Sequence, residues 1–327
     1  MGRVLRAEVD CVLSRGQVGA PSRHVASLPR CNARFAAGLH NGCSLSSTGH
    51  RRVARFSFFR RRGPLQLDST LLNDDLTPMP AGCEGCRNAE ALDFEFTMAF
   101  QPIVDASNRT VYAHEALVRG PGGESAFSIL ARVDANNRYA FDQACRVRAI
   151  ELATSLGMQS KLSINFLPNA VYRPEACIRT TLSAAQRCGF PLTNIMFELT
   201  EDERATDLTH LASIFDEYGR HGFVTAIDDF GAGYAGLELL AAFQPHVIKI
   251  DMGLVRDVNS HRPRRSIVSG IIGMCTELGI TVIAEGVETV AEFQTLRALG
   301  ISLFQGYLFA RPALRALPAI DWSALDA

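Results

Sequence analysis

Beyond Phe94 the chain alternates short apolar runs with amphipathic stretches, and it does so eight times. The runs are Thr97–Val104, Thr110–Leu117, Leu162–Asn165, Ile195–Leu199, Phe223–Ile227, Val247–Ile250, Thr281–Ala284 and Ile301–Phe304. Apolar, β-branched runs of this length read as strands buried on both faces. Helical patterns separate them from the second run onward: Tyr139–Leu156, Pro174–Cys188, Leu208–His221, Arg264–Leu278 and Val290–Leu299. Eight strands alternating with helices predict an α/β fold, a (β/α)8 barrel of the TIM type over residues 94–327. One pair breaks the rule. Only Asp105 to Arg109 separates the first two runs, too short for a parallel crossover, so the barrel is expected to carry one antiparallel strand.

In such a barrel the chemistry lies at the C-terminal ends of the parallel strands. From the second run to the eighth, those ends carry Glu115, Asn165, Glu198, the pair Asp228-Asp229, Lys249, Glu285 and Gln305. Any one could be an ordinary loop residue, and one aspartate of the pair could cap a following helix while the other is solvated. Together they predict an oxygen-rich rim suited to hard cations, with enough ligands for two Mg²⁺ or Mn²⁺ ions. Two such ions are the arrangement of many phosphodiester hydrolases. Lys249, one of two lysines in the chain, supplies a point positive charge among the carboxylates.

These residues, in this order, resemble the motifs of EAL-domain cyclic di-GMP phosphodiesterases. The stretches are Glu115-Ala116-Leu117-Val118-Arg119, Asn165, Phe197-Glu198-Leu199-Thr200-Glu201, Asp228-Asp229-Phe230-Gly231, Lys249-Ile250-Asp251, Ala284-Glu285-Gly286-Val287-Glu288 and Gln305-Gly306-Tyr307. The resemblance implies hydrolysis of cyclic di-GMP to linear pGpG. It implies that Glu115, Asn165, Glu198, Asp228 and Glu285 are metal ligands, with Asp229 bridging or orienting at the second ion. Lys249, with Glu285 and Asp229, would act on the attacking water. Gln101, Leu117, Arg119 and Pro312 would bind substrate, Glu288 and Gln305 would support the site, and Glu201 would anchor the loop after the paired aspartates. That loop departs from the family: Ala232, Ala235 and Gly236 stand where a threonine and two serines are usual. The resemblance also places a dimer contact near the apolar stretch Leu237–Phe243, predicting a homodimer, although Leu237, Leu240 and Phe243 could instead pack on the barrel.

The first 62 residues hold 12 Arg against Glu8 and Asp10, whereas the whole chain is at −1. With no helical or alternating pattern, residues 1–80 read as a disordered or non-native extension, with translation starting at Met79 as one explanation. The basic arm could bind nucleic acid with the barrel as scaffold, which ranks below catalysis. A cyclic di-GMP receptor that binds without cleaving is the other alternative, though no carboxylate or lysine is missing. Residues 81–93 form a linker containing Cys83 and Cys86, a spacing that one pair alone cannot turn into a tetrahedral zinc site. Cys145, Cys177, Cys188 and Cys275 fall in helical patterns and read as reduced thiols, and His114 is expected on the outer face. No apolar run reaches the ~18 residues of a membrane helix, which fits a cytoplasmic protein.

Overall fold

The computed structural model describes residues 92–200, 208–233 and 236–326. The basic arm, the Cys83–Cys86 pair, Glu201 and Ala235 lie outside the described residues. Strands β1 (Thr97–Asp105) and β2 (Thr110–Arg119) form the expected antiparallel hairpin, in which Gln101 faces Glu115. The turn is local chemistry: Asp105 Oδ1 accepts from the backbone N–H groups of Ser107 and Asn108.

Strands β3 (Lys161–Asn165), β4 (Ile195–Thr200), β5 (Val224–Phe230), β6 (Val247–Ile250), β7 (Thr281–Ala284) and β8 (Leu303–Gln305) continue in parallel from β2. Strand β1 closes the sheet by pairing antiparallel with both β2 and β8. The result is the eight-stranded barrel with one reversed strand. A two-residue strand, β9 (Ala313–Leu314), adds to the edge of β1 and is too short to have been read from a pattern.

The outer layer comprises α1 (Ala126–Leu130), α2 (Arg138–Ser155), α3 (Pro174–Cys177), α4 (Arg179–Cys188), α5 (Leu208–Arg220), α6 (Gly236–Ala242), α7 (Met252–Val255), α8 (Arg262–Leu278) and α9 (Val290–Ala298). The single helix expected over Pro174–Cys188 is interrupted at the buried Ile178. At the start of α8, Arg264 and Arg265 donate back to the carbonyls of Arg256 and Asn259. No helix among the described residues is long and apolar enough to cross a membrane.

Side-chain alternation divides the barrel wall into two populations. Outward residues pack under the helices, and His114, bonded to Ser160 at 2.8 Å, is among them as expected. Inward, Ile103, Ala113, Met196, Ala226, Val247, Ile283 and Leu303 make a separate apolar cluster. Two residues further towards the C-terminal mouth on each of these strands stand Glu115, Glu198, Asp228, Lys249, Glu285 and Gln305; on the reversed β1 the count runs backwards, to Gln101. An apolar floor therefore carries a polar ring. The floor keeps water out from below and lowers the local dielectric under the charges.

In the stretch Leu237–Phe243, Leu240 and Phe243 pack on the barrel side, whereas Leu237 does not. Leu239 and Leu240 are buried, Phe243 stacks on Phe215 at 4.3 Å, and Leu237 is the large apolar residue of the stretch that points out, 65% exposed.

Candidate active site

Strict alternation would send the side chains of Asp228 and Asp229 to opposite faces of β5. The strand avoids this with a bulge. Ile227 pairs with Ile248 but Phe230 pairs with Ile250, so one extra residue is inserted opposite Lys249. Asp229 takes up the insertion in a left-handed conformation, φ +57°, rare for a residue with a side chain. Its backbone N–H is held by Asp228 Oδ1 at 2.9 Å. Both aspartates thereby line the same cavity at the C-terminal end of the strand, which runs on to Phe230 past the apolar run that ends at Ile227.

Lys249 is fully buried at the centre of the ring. Its Nζ lies 2.6 Å from Glu285, 3.0 Å from Glu198, 3.2 Å from Asp228 and 3.4 Å from Glu115. Burial alone would push the ammonium towards neutrality, but the four carboxylates outweigh it and hold its pKa well above the usual lysine range. The carboxylates are left in excess. Burial pushes Glu198 up to about 8; Lys249 relieves this in part and the neighbouring Glu115 and Asp228 add to it. Glu285 is raised well above the ordinary range by burial and by Asp228, against the pull of Lys249.

The donor set fits divalent cations. One carboxylate oxygen from each of Glu115, Glu198 and Asp228 lies within 4.8 Å of the others, and so does one from each of Asp228, Asp229 and Glu285. The two groups share Asp228. Glu198 Oε1 is buried and makes no hydrogen bond of standard geometry. Lys249 serves the other oxygen of this carboxylate, so Oε1 is a donor position open to an ion. Oxygen donors alone select a hard ion.

Amides steady the ring. Asn165 Nδ2 donates to Glu115 Oε1 at 3.0 Å, and Gln305 Nε2 donates to Glu115 Oε2 at 2.7 Å and to Gln101 Oε1 at 3.4 Å. Gln305 is fixed by the next residue. A Cβ on Gly306 would stand 1.9 Å from the Val287 carbonyl oxygen, so only glycine allows the chain to pass there.

Other expected residues stand further off. Glu288 lines the cavity but is gripped by Arg256 through two 2.8 Å bonds. Arg119 donates to the carbonyl of Val118, and neither it nor Leu117 nor Pro312 lines the cavity. The sequence reading missed Met252 and gave no site role to Tyr307, two residues with large side chains exposed at the mouth. Tyr307, with Arg311 4.1 Å above its ring, closes the quoted stretch Gln305-Gly306-Tyr307, where its place beside Gln305 was the signal for a site role.

The family model of the EAL domain matches residues 87–312. The blue light- and temperature-regulated antirepressor BluF of Escherichia coli is 36% identical over 226 residues, covering 68% of this chain and 56% of that protein. The cyclic di-GMP phosphodiesterase NbdA of Pseudomonas aeruginosa is 28% identical over 231 residues, 67% of this chain and 29% of that one. The chain thus spans little more than half of one curated relative and under a third of the other. A standalone versatile EAL protein from Vibrio cholerae O395, solved in its c-di-GMP-bound form, superposes with a TM-score of 0.70 at 54% identity, over 72% of this chain and 100% of that one.

Proposed function

The chain belongs to the EAL-domain family, and from that premise we propose that it is a cytoplasmic phosphodiesterase that hydrolyses cyclic di-GMP to pGpG with two Mg²⁺ or Mn²⁺ ions. The observation that carries the reading is the pair of carboxylate groups sharing Asp228 around a buried lysine. When bound, the two ions would supply Lewis-acid clamping of the phosphodiester and a nucleophilic water at neutral pH. Glu115, Asn165, Glu198 and Asp228 would hold one ion, and Asp228, Asp229 and Glu285 the other.

The remaining work falls to the chain's own side chains. As an ammonium with three donors and no acceptor, Lys249 can orient the attacking oxygen and steady charge on the phosphate but cannot take a proton. Glu285, 2.6 Å from it, and Asp229 are the carboxylates placed to receive the water's proton. The oxygen adds to phosphorus as the bond to the 3′ oxygen breaks, the 3′ oxygen takes up a proton to leave as a hydroxyl, and the second phosphodiester stays intact. Gln101, Leu117, Arg119 and Pro312 are proposed to hold the dinucleotide, with Glu288 and Gln305 in support and Glu201 anchoring the adjacent loop. The exposed Leu237 on α6 supports a symmetric homodimer that steadies Asp229 through the loop between them.

Incubating the full chain with cyclic di-GMP and Mn²⁺, with and without chelator, tests the reading. It predicts pGpG only when the metal is present. One observation favours a second reading, a receptor that binds cyclic di-GMP without cleaving it: the relative BluF is named an antirepressor. Tight binding with no pGpG in excess Mn²⁺ would select the receptor.

A further inference from the structure

Behind the barrel wall, on the side away from the cavity, lies a buried charge cluster with no part in the chemistry above. Arg146 on α2 is wholly buried, with Nη2 2.8 Å from Asp142 one turn before it and Nη1 donating at 2.9 Å to the hydroxyl of the buried Tyr218 on α5. Its guanidinium carbon lies 5.1 Å from the ring centre of Phe197 and 5.7 Å from that of Phe166. Those two rings meet edge-on at 6.0 Å.

The position of the two rings in the chain gives the cluster its meaning. Phe166 directly follows Asn165, and Phe197 directly precedes Glu198. Alternation turns each ring outward against Arg146 where its neighbour turns inward to the polar ring. Two further bonds fix the same segment: Asp142 Oδ1 accepts from the backbone N–H of Leu167 at 3.0 Å, and Phe166 N–H donates to the Glu198 carbonyl at 3.1 Å. The ends of β3 and β4 are thus tied to each other and to one helix.

Stability alone is a poor reason for this arrangement. A buried ion pair can often be replaced by apolar side chains with no loss of stability, and Arg146 Nε makes no hydrogen bond here. A guanidinium does what an aliphatic chain cannot: it lies within cation–π distance of two rings while its fork holds a carboxylate and a phenol in fixed directions.

We propose that Arg146 is a positioning residue which, through Phe166 and Phe197, holds Asn165 and Glu198 in the geometry that binds a divalent ion. This rests on the metal-site reading above. The test is calorimetric Mn²⁺ binding to the full chain, with thermal unfolding measured alongside, for wild type, Arg146→Met, and Asp142→Asn combined with Arg146→Met. The double variant removes both charges and keeps an acceptor for Leu167, so it remains informative if the single variant fails to fold. Leu296→Ala, in the core under α9, serves as a destabilised control.

Both Arg146 variants are expected to bind Mn²⁺ roughly tenfold more weakly, as when a group behind a metal ligand is removed, while the control binds as wild type does. Arg146→Lys restores the charge without the planar fork and should not recover the affinity. A folded double variant binding within twofold of wild type overturns the proposal. A wild-type chain that takes up no Mn²⁺ overturns instead the metal-site reading beneath it, so the two failures are distinct.

Discussion

Lys249 Nζ lies 2.6 Å from Oε1 of Glu285, the shortest of its four carboxylate contacts. The ammonium is therefore shared among groups that outnumber it, and its removal should separate binding from chemistry. Lys249→Met leaves every proposed metal ligand in place. At saturating Mn²⁺ it is expected to lower kcat by about 10²–10⁴-fold with little change in KM. Steady-state kinetics check this, and an unchanged kcat would remove Lys249 from the mechanism.

The excess of carboxylates makes the folded state dependent on cations. A ligand at 100 times its Kd stabilises by about 2.7 kcal/mol, which for a domain of this size raises the melting midpoint by about 5–10 °C. Mn²⁺ should produce that rise in the wild-type chain and lose most of it in Asp228→Asn, because Asp228 belongs to both carboxylate groups. Scanning calorimetry with Mn²⁺ and with chelator decides; equal midpoints would count against the site.

Gly306→Ala places a methyl group 1.9 Å from the Val287 carbonyl oxygen and 2.5 Å from its nitrogen, both backbone atoms that cannot turn away. The strained chain must move Gln305, whose amide donates to Glu115. A loss of more than about 3 kcal/mol is expected. Urea midpoints at constant slope measure it.

The stretch after the bulge was legible only in part. Its apolar character suggests an interface, but which leucine faces out depends on how the short α6 is rotated, and that is set by packing of Phe243 on Phe215. Leu239→Glu would bury a charge in the core and is expected to cost more than about 4 kcal/mol. Leu237→Glu should change stability by under about 0.5 kcal/mol and halve the mass seen by light scattering. A Leu237→Glu protein with unchanged mass would exclude a dimer through this face.

Burial pushes the Cys275 thiol up to about 11, and Cys145 is held well above its ordinary range chiefly by burial, with Asp142 adding to it. At pH 8 a thiol of that pKa is about one part in a thousand thiolate. Both are expected to react with iodoacetamide over 100-fold more slowly in the folded chain than in urea, Cys275 also because it has no exposed surface. Mass mapping of the alkylated peptides reads the outcome.

The sequence carried the barrel because eight runs buried on both faces leave few alternatives, and it carried the reversed strand because five residues cannot make a parallel crossover. It placed a polar residue at each strand end, and the structure gathers Glu115, Glu198, Asp228, Asp229, Lys249 and Glu285 at one mouth. What it could not carry is geometry set by irregular backbone. The bulge that turns Asp229 to the same side as Asp228 leaves no pattern in residue types, since alternation predicts the opposite. Arg146 was hidden for a related reason: a charged residue on a helix is ordinarily read as solvent-facing, and only the Phe166, Phe197 and Tyr218 rings make it an interior one.

The central claim is that the carboxylates around Lys249 form a metal-dependent hydrolytic site. The most direct test is the initial rate of pGpG formation from cyclic di-GMP by the full chain in saturating Mn²⁺, compared with Asp228→Asn. The account predicts turnover by the wild type and a loss of at least about 10³-fold in the variant, which loses the one carboxylate common to both metal groups. A wild-type rate retained by Asp228→Asn, or pGpG formed equally well in chelator, would contradict it.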